Sequence, residues 1–141
     1  PPLALALALP VEALGAAWVA MALGTPCLTL LGAIGAEDIG QLFPDDDPAN
    51  AGRDSREFLE AAADHVRSAG WTPVNLDITV ICERPKLSPH KQAMIANIAG
   101  MLGCGIDQVN LKGKTHEAVD AVGEGRAVEV HVVALLERAA A

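Results

Sequence analysis

From Val74 to Glu83 the residues alternate with period two. Val74, Leu76, Ile78, Val80 and Cys82 fall on one face of an extended chain, and Asn75, Asp77 and Thr79 on the other. A strand divided in this way must have its apolar face covered by another layer. The segment just before it can supply that layer. Phe58, Leu59, Ala62 and Val66 recur at helical spacing, Asp54-Ser55-Arg56-Glu57 offers a cap, and Gly70 ends the run. A helix followed at once by a half-apolar strand argues for an α/β arrangement and against a helical bundle or an all-β barrel.

The remaining segments extend this pattern. Leu3, Leu5, Leu7 and Leu9 alternate with alanine and stop at Pro10, which predicts a short first strand. From Val11 to about Gly35 the chain is rich in Ala and Leu and suits a buried helix, which Gly24-Thr25-Pro26 should kink or divide in two. Phe43-Pro44-Asp45-Asp46-Asp47-Pro48 cannot continue a helix and reads as an exposed loop. Glu83-Arg84-Pro85-Lys86-Leu87 is the turn leaving the alternating strand. Ser88 and Pro89 then read as N-cap and first helical residue of a helix that reaches about Leu102 and is closed by Gly103 and Gly105. Residues 109–114 predict another strand, Gly123-Glu124-Gly125 a turn, and residues 126–136, with Val128, Val130 and Val132 alternating, a last strand. The order β, α, α, β, α, β, β predicts a two-layer sandwich of a mixed sheet and helices. At 141 residues this is one domain, spanning residues 1–141.

Charge narrows the function. Acidic side chains outnumber basic ones by 18 to 10, and Lys and Arg form no run or stripe, so no nucleic-acid partner is expected. A small phosphorylated ligand stays compatible, because a few local cations and backbone N–H groups can hold a phosphate whatever the net charge. Cys27, Cys82 and Cys104 lie far apart with no CxxC pair. They read as small apolar residues in a reducing cytoplasm. Residues 13–36 carry no charge, and their length would suit a membrane span. Their four glycines, the Thr25-Pro26 break and the lack of flanking cations count against one.

Four segments, taken together, resemble the 2-C-methyl-D-erythritol 2,4-cyclodiphosphate synthase family. They are Asp38-Ile39-Gly40-Gln41-Leu42-Phe43-Pro44-Asp45-Asp46-Asp47-Pro48, then Asp54-Ser55, then Arg84-Pro85-Lys86-Leu87-Ser88-Pro89-His90, then Val109-Asn110-Leu111-Lys112-Gly113-Lys114-Thr115-His116-Glu117. The first is similar to the family's DIGxxFPDTDP loop, the third to its PKxxPH turn and the fourth to its VNxKxxTTE strand end. The resemblance covers residues 30–136, approximately. It implies a cytoplasmic homotrimer with active sites between adjacent subunits. Each site would cyclise a cytidine diphosphate ester of methylerythritol phosphate and release CMP, a phosphorus–oxygen lyase reaction of non-mevalonate isoprenoid biosynthesis. Carried over by position, Phe43, Asp45 and Asp47 would line the methylerythritol phosphate pocket. Pro85, Lys86 and Leu87 would hold the cytosine ring, and Thr115 would contact the diphosphate. Asp45 and Thr115 are the residues the resemblance sets beside the chemistry, and Glu117 would bind a magnesium or manganese ion.

The resemblance also implies a zinc ion, and here the sequence departs from the family. The family's ligands come from a GxDxH strand and an LxHSDGD segment. The chain begins too late for the first motif, and the second aligns onto residues 14–20, where Ala16 stands in the place of the zinc-binding His. Ala, Trp and Val supply no zinc donor. The family's HALxDALLGA pattern is altered between Gly24 and Ala33, and Gly123-Glu124-Gly125-Arg126 replaces its GRGEG. The alternative implied by these departures is a catalytically inactive trimeric scaffold, engineered or degenerate, derived from the same family.

Overall fold

The computed structural model describes residues 16–51, 53 and 55–140, with side chains from residue 24 onward except at residues 52, 54 and 55. The strand expected around Leu3 to Leu9, the helix start at Val11 and the cap at Asp54 lie outside the described residues.

The chain runs through α1 (Ala16–Ala33), α2 (Ile39–Leu42), α3 (Ser55–Ser68), β1 (Trp71–Ile81), α4 (Lys91–Leu102), β2 (Val109–Lys114), α5 (Asp120–Gly123) and β3 (Glu129–Arg138). The three strands form one mixed sheet in the order β2-β1-β3. β1 is parallel to β2 and antiparallel to β3. The helices α1, α3 and α4 pack on one another and on the sheet. The sequence-based expectation of a mixed sheet with helices is met.

The core lies between these layers. α1 contributes Cys27, Leu30 and Leu31, and α3 contributes Leu59, Ala62, Ala63 and Val66. β1 adds Leu76, Ile78 and Val80, while α4 adds Met94, Ile98, Met101 and Leu102. A leucine as fully enclosed as Leu30 or Leu102, each 0% exposed, stabilises the fold by roughly 1.5–3 kcal/mol through burial alone. Burial also pushes the Cys27 thiol up to about 12, so it packs as a neutral apolar group.

Four local expectations are corrected. α1 is not divided at Gly24-Thr25-Pro26, since Pro26 sits inside one continuous helix. The missing proline N–H removes one backbone bond, but Thr29 donates its hydroxyl to the Thr25 carbonyl at 2.9 Å and the next residues are held in the core. β1 begins at Trp71 rather than at Val74. A bulge between Pro73 and Asn75 throws Val74 out of step, so Pro73 is buried and Val74 only half-buried. The strand tolerates Pro73 because its partner β2 joins only from Leu76 onward, and the Gln108 side-chain amide donates to the Pro73 and Val74 carbonyls at 3.1 Å each. Ser88 is not the N-cap of α4. Ser88–His90 form a 3-10 turn with Leu87 at its cap position, and α4 starts at Lys91. The last strand spans Glu129–Arg138 rather than 126–136, and Val128, just before it, is buried in the core.

The far side of the sheet is of a different character. Asp77 lies at its centre, paired in register with Asn110 on β2 and Val133 on β3. Its carboxylate accepts from Asn110 Nδ2 at 3.0 Å and from Lys112 Nζ at 2.8 Å, and these bonds hold it below the usual carboxylate range. Beside this polar set Val133 and Leu135 are 70% and 59% exposed.

Candidate functional site

Because β1 and β2 are parallel neighbours, their carboxyl ends lie side by side, with Ile81 in register with Lys114. The Cys82 amide continues the ladder by donating to the Lys114 carbonyl at 3.0 Å. The turn leaving β1 therefore faces the segment leaving β2. In open α/β sheets, ligands bind in such crevices outside the strand ends. Here a cleft of about 490 Å³ opens between the two. On one side it is lined by Glu83, Pro85, Lys86, Leu87, Ser88 and Lys91, and on the other by Leu111, Gly113, Lys114 and Thr115.

The turn is tightly built. Arg84-Pro85 is a cis peptide, the Cys82 thiol lies 3.8 Å from the Pro85 carbonyl, and the His90 amide donates to the Leu87 carbonyl at 2.9 Å. Leu87 reaches the opposite strand, where a Cβ on Gly113 would lie 3.4 Å from its side chain, so the two walls meet at the cleft floor. Glu83 Oε2 is buried among the wall residues with no hydrogen-bond partner.

A second hollow of about 230 Å³ adjoins the first and shares Lys114 and Thr115 with it. His116, Glu117, Val119 and Asp120 complete its wall. Thr115 Oγ1 accepts from the Glu117 amide at 3.2 Å, which anchors the loop to the strand end. Glu117, Ala118 and Asp120 all have positive φ, at 54°, 63° and 65°. Three non-glycine residues in left-handed geometry within four positions store backbone strain, a feature that clusters at ligand sites. Asp120 holds this geometry in place. Its carboxylate accepts from the Val122 amide at 2.8 Å and the Gly123 amide at 3.2 Å, and lies 2.9 Å from His116 Nδ1. Desolvation acts to raise this carboxyl, but the bonds from Gly123, His116 and Val122 outweigh it and hold the group low. Glycine at position 123 is required by space, since a Cβ there would come within 2.5 Å of the Ala118 backbone.

The residues singled out from the sequence divide into two groups. Pro85, Lys86, Leu87 and Thr115 line one cleft, and Thr115 and Glu117 line the adjoining hollow. Phe43, Asp45 and Asp47 line neither. Phe43 packs edge-on against Phe58 at 4.9 Å under the Arg53 guanidinium, Asp47 caps the Pro48–Asn50 turn through the Ala49 amide at 2.9 Å, and Asp45 is exposed. Sequence reasoning assigned no role to Lys91, Lys114, Glu83 or Asp120. Only Lys114 had a visible signal, since it stands between two quoted landmarks, Val109-Asn110 and Thr115.

Among the described residues no three His, Cys, Asp or Glu side chains gather closely enough to hold a metal ion between them, and no helix is long and apolar enough to cross a membrane.

Residues 22–137 match the model of the YgbB family. A 2-C-methyl-D-erythritol 2,4-cyclodiphosphate synthase of Azoarcus sp. (strain BH72) is 52% identical over 110 residues, covering 78% of this chain and 68% of the Azoarcus protein. Among solved structures, an IspF of Plasmodium falciparum in complex with CDP superposes with a TM-score of 0.75 at 32% identity, covering 85% of this chain and 72% of the other. The bifunctional IspDF of Campylobacter jejuni gives a TM-score of 0.79 at 35% identity over 84% of this chain, which spans only 32% of that larger protein.

Proposed function

The chain belongs to the YgbB family, whose relatives are 2-C-methyl-D-erythritol 2,4-cyclodiphosphate synthases, and from that premise we propose that its cleft binds and cyclises the cytidine diphosphate ester of methylerythritol 2-phosphate. The reading rests above all on one observation: the Pro85-Lys86-Leu87 turn and Thr115 face each other across the parallel ends of β1 and β2. The CDP bound to the Plasmodium relative is a ligand of the same class. In this reading backbone groups and Leu87 hold the cytosine ring, and Thr115 with the nearby lysines holds the diphosphate.

The chemistry asks little of the protein beyond position and charge. The 2-phosphate oxygen of the substrate attacks the β-phosphorus, the bond from that phosphorus to the bridging oxygen breaks, and CMP leaves with the bridging oxygen. No protein atom joins the substrate covalently. Catalysis therefore lies in fixing an in-line approach and stabilising charge on the phosphate oxygens. Glu117 fits a magnesium or manganese ion. Its carboxylate is exposed in the second hollow beside Thr115, and such ions are held by one or two acids plus the substrate's own phosphates. The ion would add further neutralisation of phosphate charge when bound. The zinc ion of the family does not fit the residues present, because residues 14–20 carry no donor and no three-residue donor group occurs among the described residues.

The acidic loop fits the same reading only through assembly. Phe43, Asp45 and Asp47 do not line their own chain's cleft, so a neighbouring copy would supply them in a homotrimer whose sites lie between subunits. The exposed Val133 and Leu135 on the uncovered face of the sheet give such an assembly an apolar surface to bury. Three free thiols accord with the reducing conditions of the cytoplasm.

A second reading has its own observation. With Ala16 at the position of the family's zinc-binding His, the chain is a trimer that binds the nucleotide without turning it over. Chromatography of the diphosphocytidyl substrate incubated with protein and magnesium separates the two. CMP and the cyclic diphosphate appearing in equal amounts is the expected result. Substrate retained on the protein with no CMP formed would establish the binding-only trimer, and failure to bind at all would remove both readings.

A further inference from the structure

The acidic loop joins α2 to α3 with no strand or long helix of its own, only the short Pro48–Asn50 turn. A segment of this kind samples many conformations unless something fixes it, and the ordering then falls on whatever ligand it must meet. Here the fixing group is Arg53. Its guanidinium carbon lies 5.3 Å from the centre of the Phe43 ring and 5.6 Å from that of Phe58, over the aromatic pair that joins the start of the loop to α3. Nε donates to Glu57 Oε2 at 3.0 Å, in the first turn of α3, and Nη1 donates to Asn50 Oδ1 at 3.2 Å. The Asn50 side chain is thereby used at both ends, since its Nδ2 donates to the Pro44 carbonyl at 3.0 Å. That carbonyl also accepts from the Asp47 amide at 3.1 Å, and the Asn50 amide donates to the Asp47 carbonyl at 2.9 Å.

One planar cation thus ties Phe43 and Asn50, and through Asn50 the backbone at Pro44 and Asp47, to the start of α3. The Arg53 side chain is 34% exposed against 51% for Arg56, so these contacts form partly out of water, where a cation on an aromatic face is held more firmly. None of them serves the cleft of the same chain, whose walls come from the turn after β1 and the end of β2. We propose that Arg53 is a positioning residue: it holds the acidic loop, before any ligand arrives, in the shape in which a neighbouring copy's site receives it. The proposal rests on the reading of that loop as part of a methylerythritol phosphate pocket between subunits. Arg53 acts there through Phe43 and Asn50 and not by touching the substrate. Its loss therefore weakens the hold on the part of the substrate that CDP lacks and leaves CDP binding unchanged.

Amide hydrogen exchange and ligand binding, measured on the same variants, test it. Arg53→Met keeps an unbranched stem and removes the fork. It should speed exchange at the Asp47, Ala49 and Asn50 amides by about tenfold and raise the half-saturating concentration of the diphosphocytidyl substrate by about as much, the scale of one hydrogen bond to a charged group. CDP affinity in titration calorimetry should stay as in wild type, whereas a general loss of structure would weaken both ligands alike. Arg53→Lys keeps the charge without the fork and should fall between. Arg138→Met removes an arginine that lies 4.6 Å from the Trp71 ring at the opposite end of β1, and should match wild type in all three measurements. The proposal is overturned if the Arg53→Met amides exchange as in wild type, if substrate and CDP weaken together, or if Arg138→Met has the same effect. Unchanged exchange in Arg53→Met, with wild type binding substrate more tightly than CDP, removes Arg53 and leaves the loop in the site. Faster exchange, with wild type binding substrate no more tightly than CDP, removes the loop from the site and the proposal with it.

Discussion

Glu117→Gln is expected to lower CMP release by about a hundredfold under saturating substrate, since a metal ion at the phosphate contributes several kcal/mol of charge stabilisation. Affinity for CMP should change by less than a factor of about two, because in the proposed mode the base would lie against the Pro85-Lys86-Leu87 turn and the metal would act on the phosphates. The substitution keeps size and shape. The side chain is exposed, and glutamine tolerates the φ of 54° no worse than glutamate does, so the fold should not respond. What changes is the one carboxylate in the wall of the second hollow, among the described residues, that is not engaged elsewhere; Asp120 is already occupied by the Val122 and Gly123 amides and by His116. The measurement is CMP release against magnesium concentration. A loss that high magnesium partly restores assigns Glu117 to the ion, and a rate equal to wild type would take the ion away from it.

The second large effect concerns assembly. If the chain assembles as the proposed homotrimer, Val133→Glu with Leu135→Glu should convert it to monomers in light scattering and abolish the proposed CMP release, while leaving each chain folded. Both residues are exposed on a single chain and point away from the core, so the monomer loses little. In a trimer that buries this face, six added carboxylates would meet near Asp77, which already accepts from Asn110 and Lys112. Like charges brought together out of water are strongly unfavourable. Activity should fall with mass because Phe43, Asp45 and Asp47 do not line their own chain's cleft. A variant that remains trimeric would move the interface to another surface, and a wild-type protein that is monomeric and active would remove the need for a neighbour's acidic loop.

Much of this framework is written into local sequence. The period-two run through Leu76, Ile78 and Val80 and the helical spacing of Leu59, Ala62 and Val66 each record a single buried face, and both elements are present, the strand starting at Trp71 rather than Val74. Boundaries were less legible where side chains outside the element decide them. Pro73 belongs to a strand because a bulge and the Gln108 amide accommodate it, and Pro26 stays inside α1 because Leu30 and Leu31 are anchored in the core. The short helix Ile39–Leu42 was overlooked although its signal is local, with Asp38 and Gln41 forming a reciprocal cap.

The cleft shows the same division. The turn and the strand end could each be recognised from residues in sequence, but their meeting depends on β1 and β2 pairing in parallel across a gap filled by α4, which no local pattern encodes. Lys91 and Lys114 were missed for a related reason. A lysine on a surface is ordinary, and these two gain meaning only when the fold sets them in one wall with Lys86 and leaves them without carboxylate partners. The acidic loop is legible as a motif and not as part of a site, because Phe43, Asp45 and Asp47 line neither hollow of their own chain.

The most direct test is the crystal structure of this protein with CDP. The account predicts the cytosine ring against the Pro85-Lys86-Leu87 turn and the terminal phosphate beside Thr115 and Lys114. Nucleotide bound at any other surface, with the space between β1 and β2 left open at saturating CDP, would contradict it.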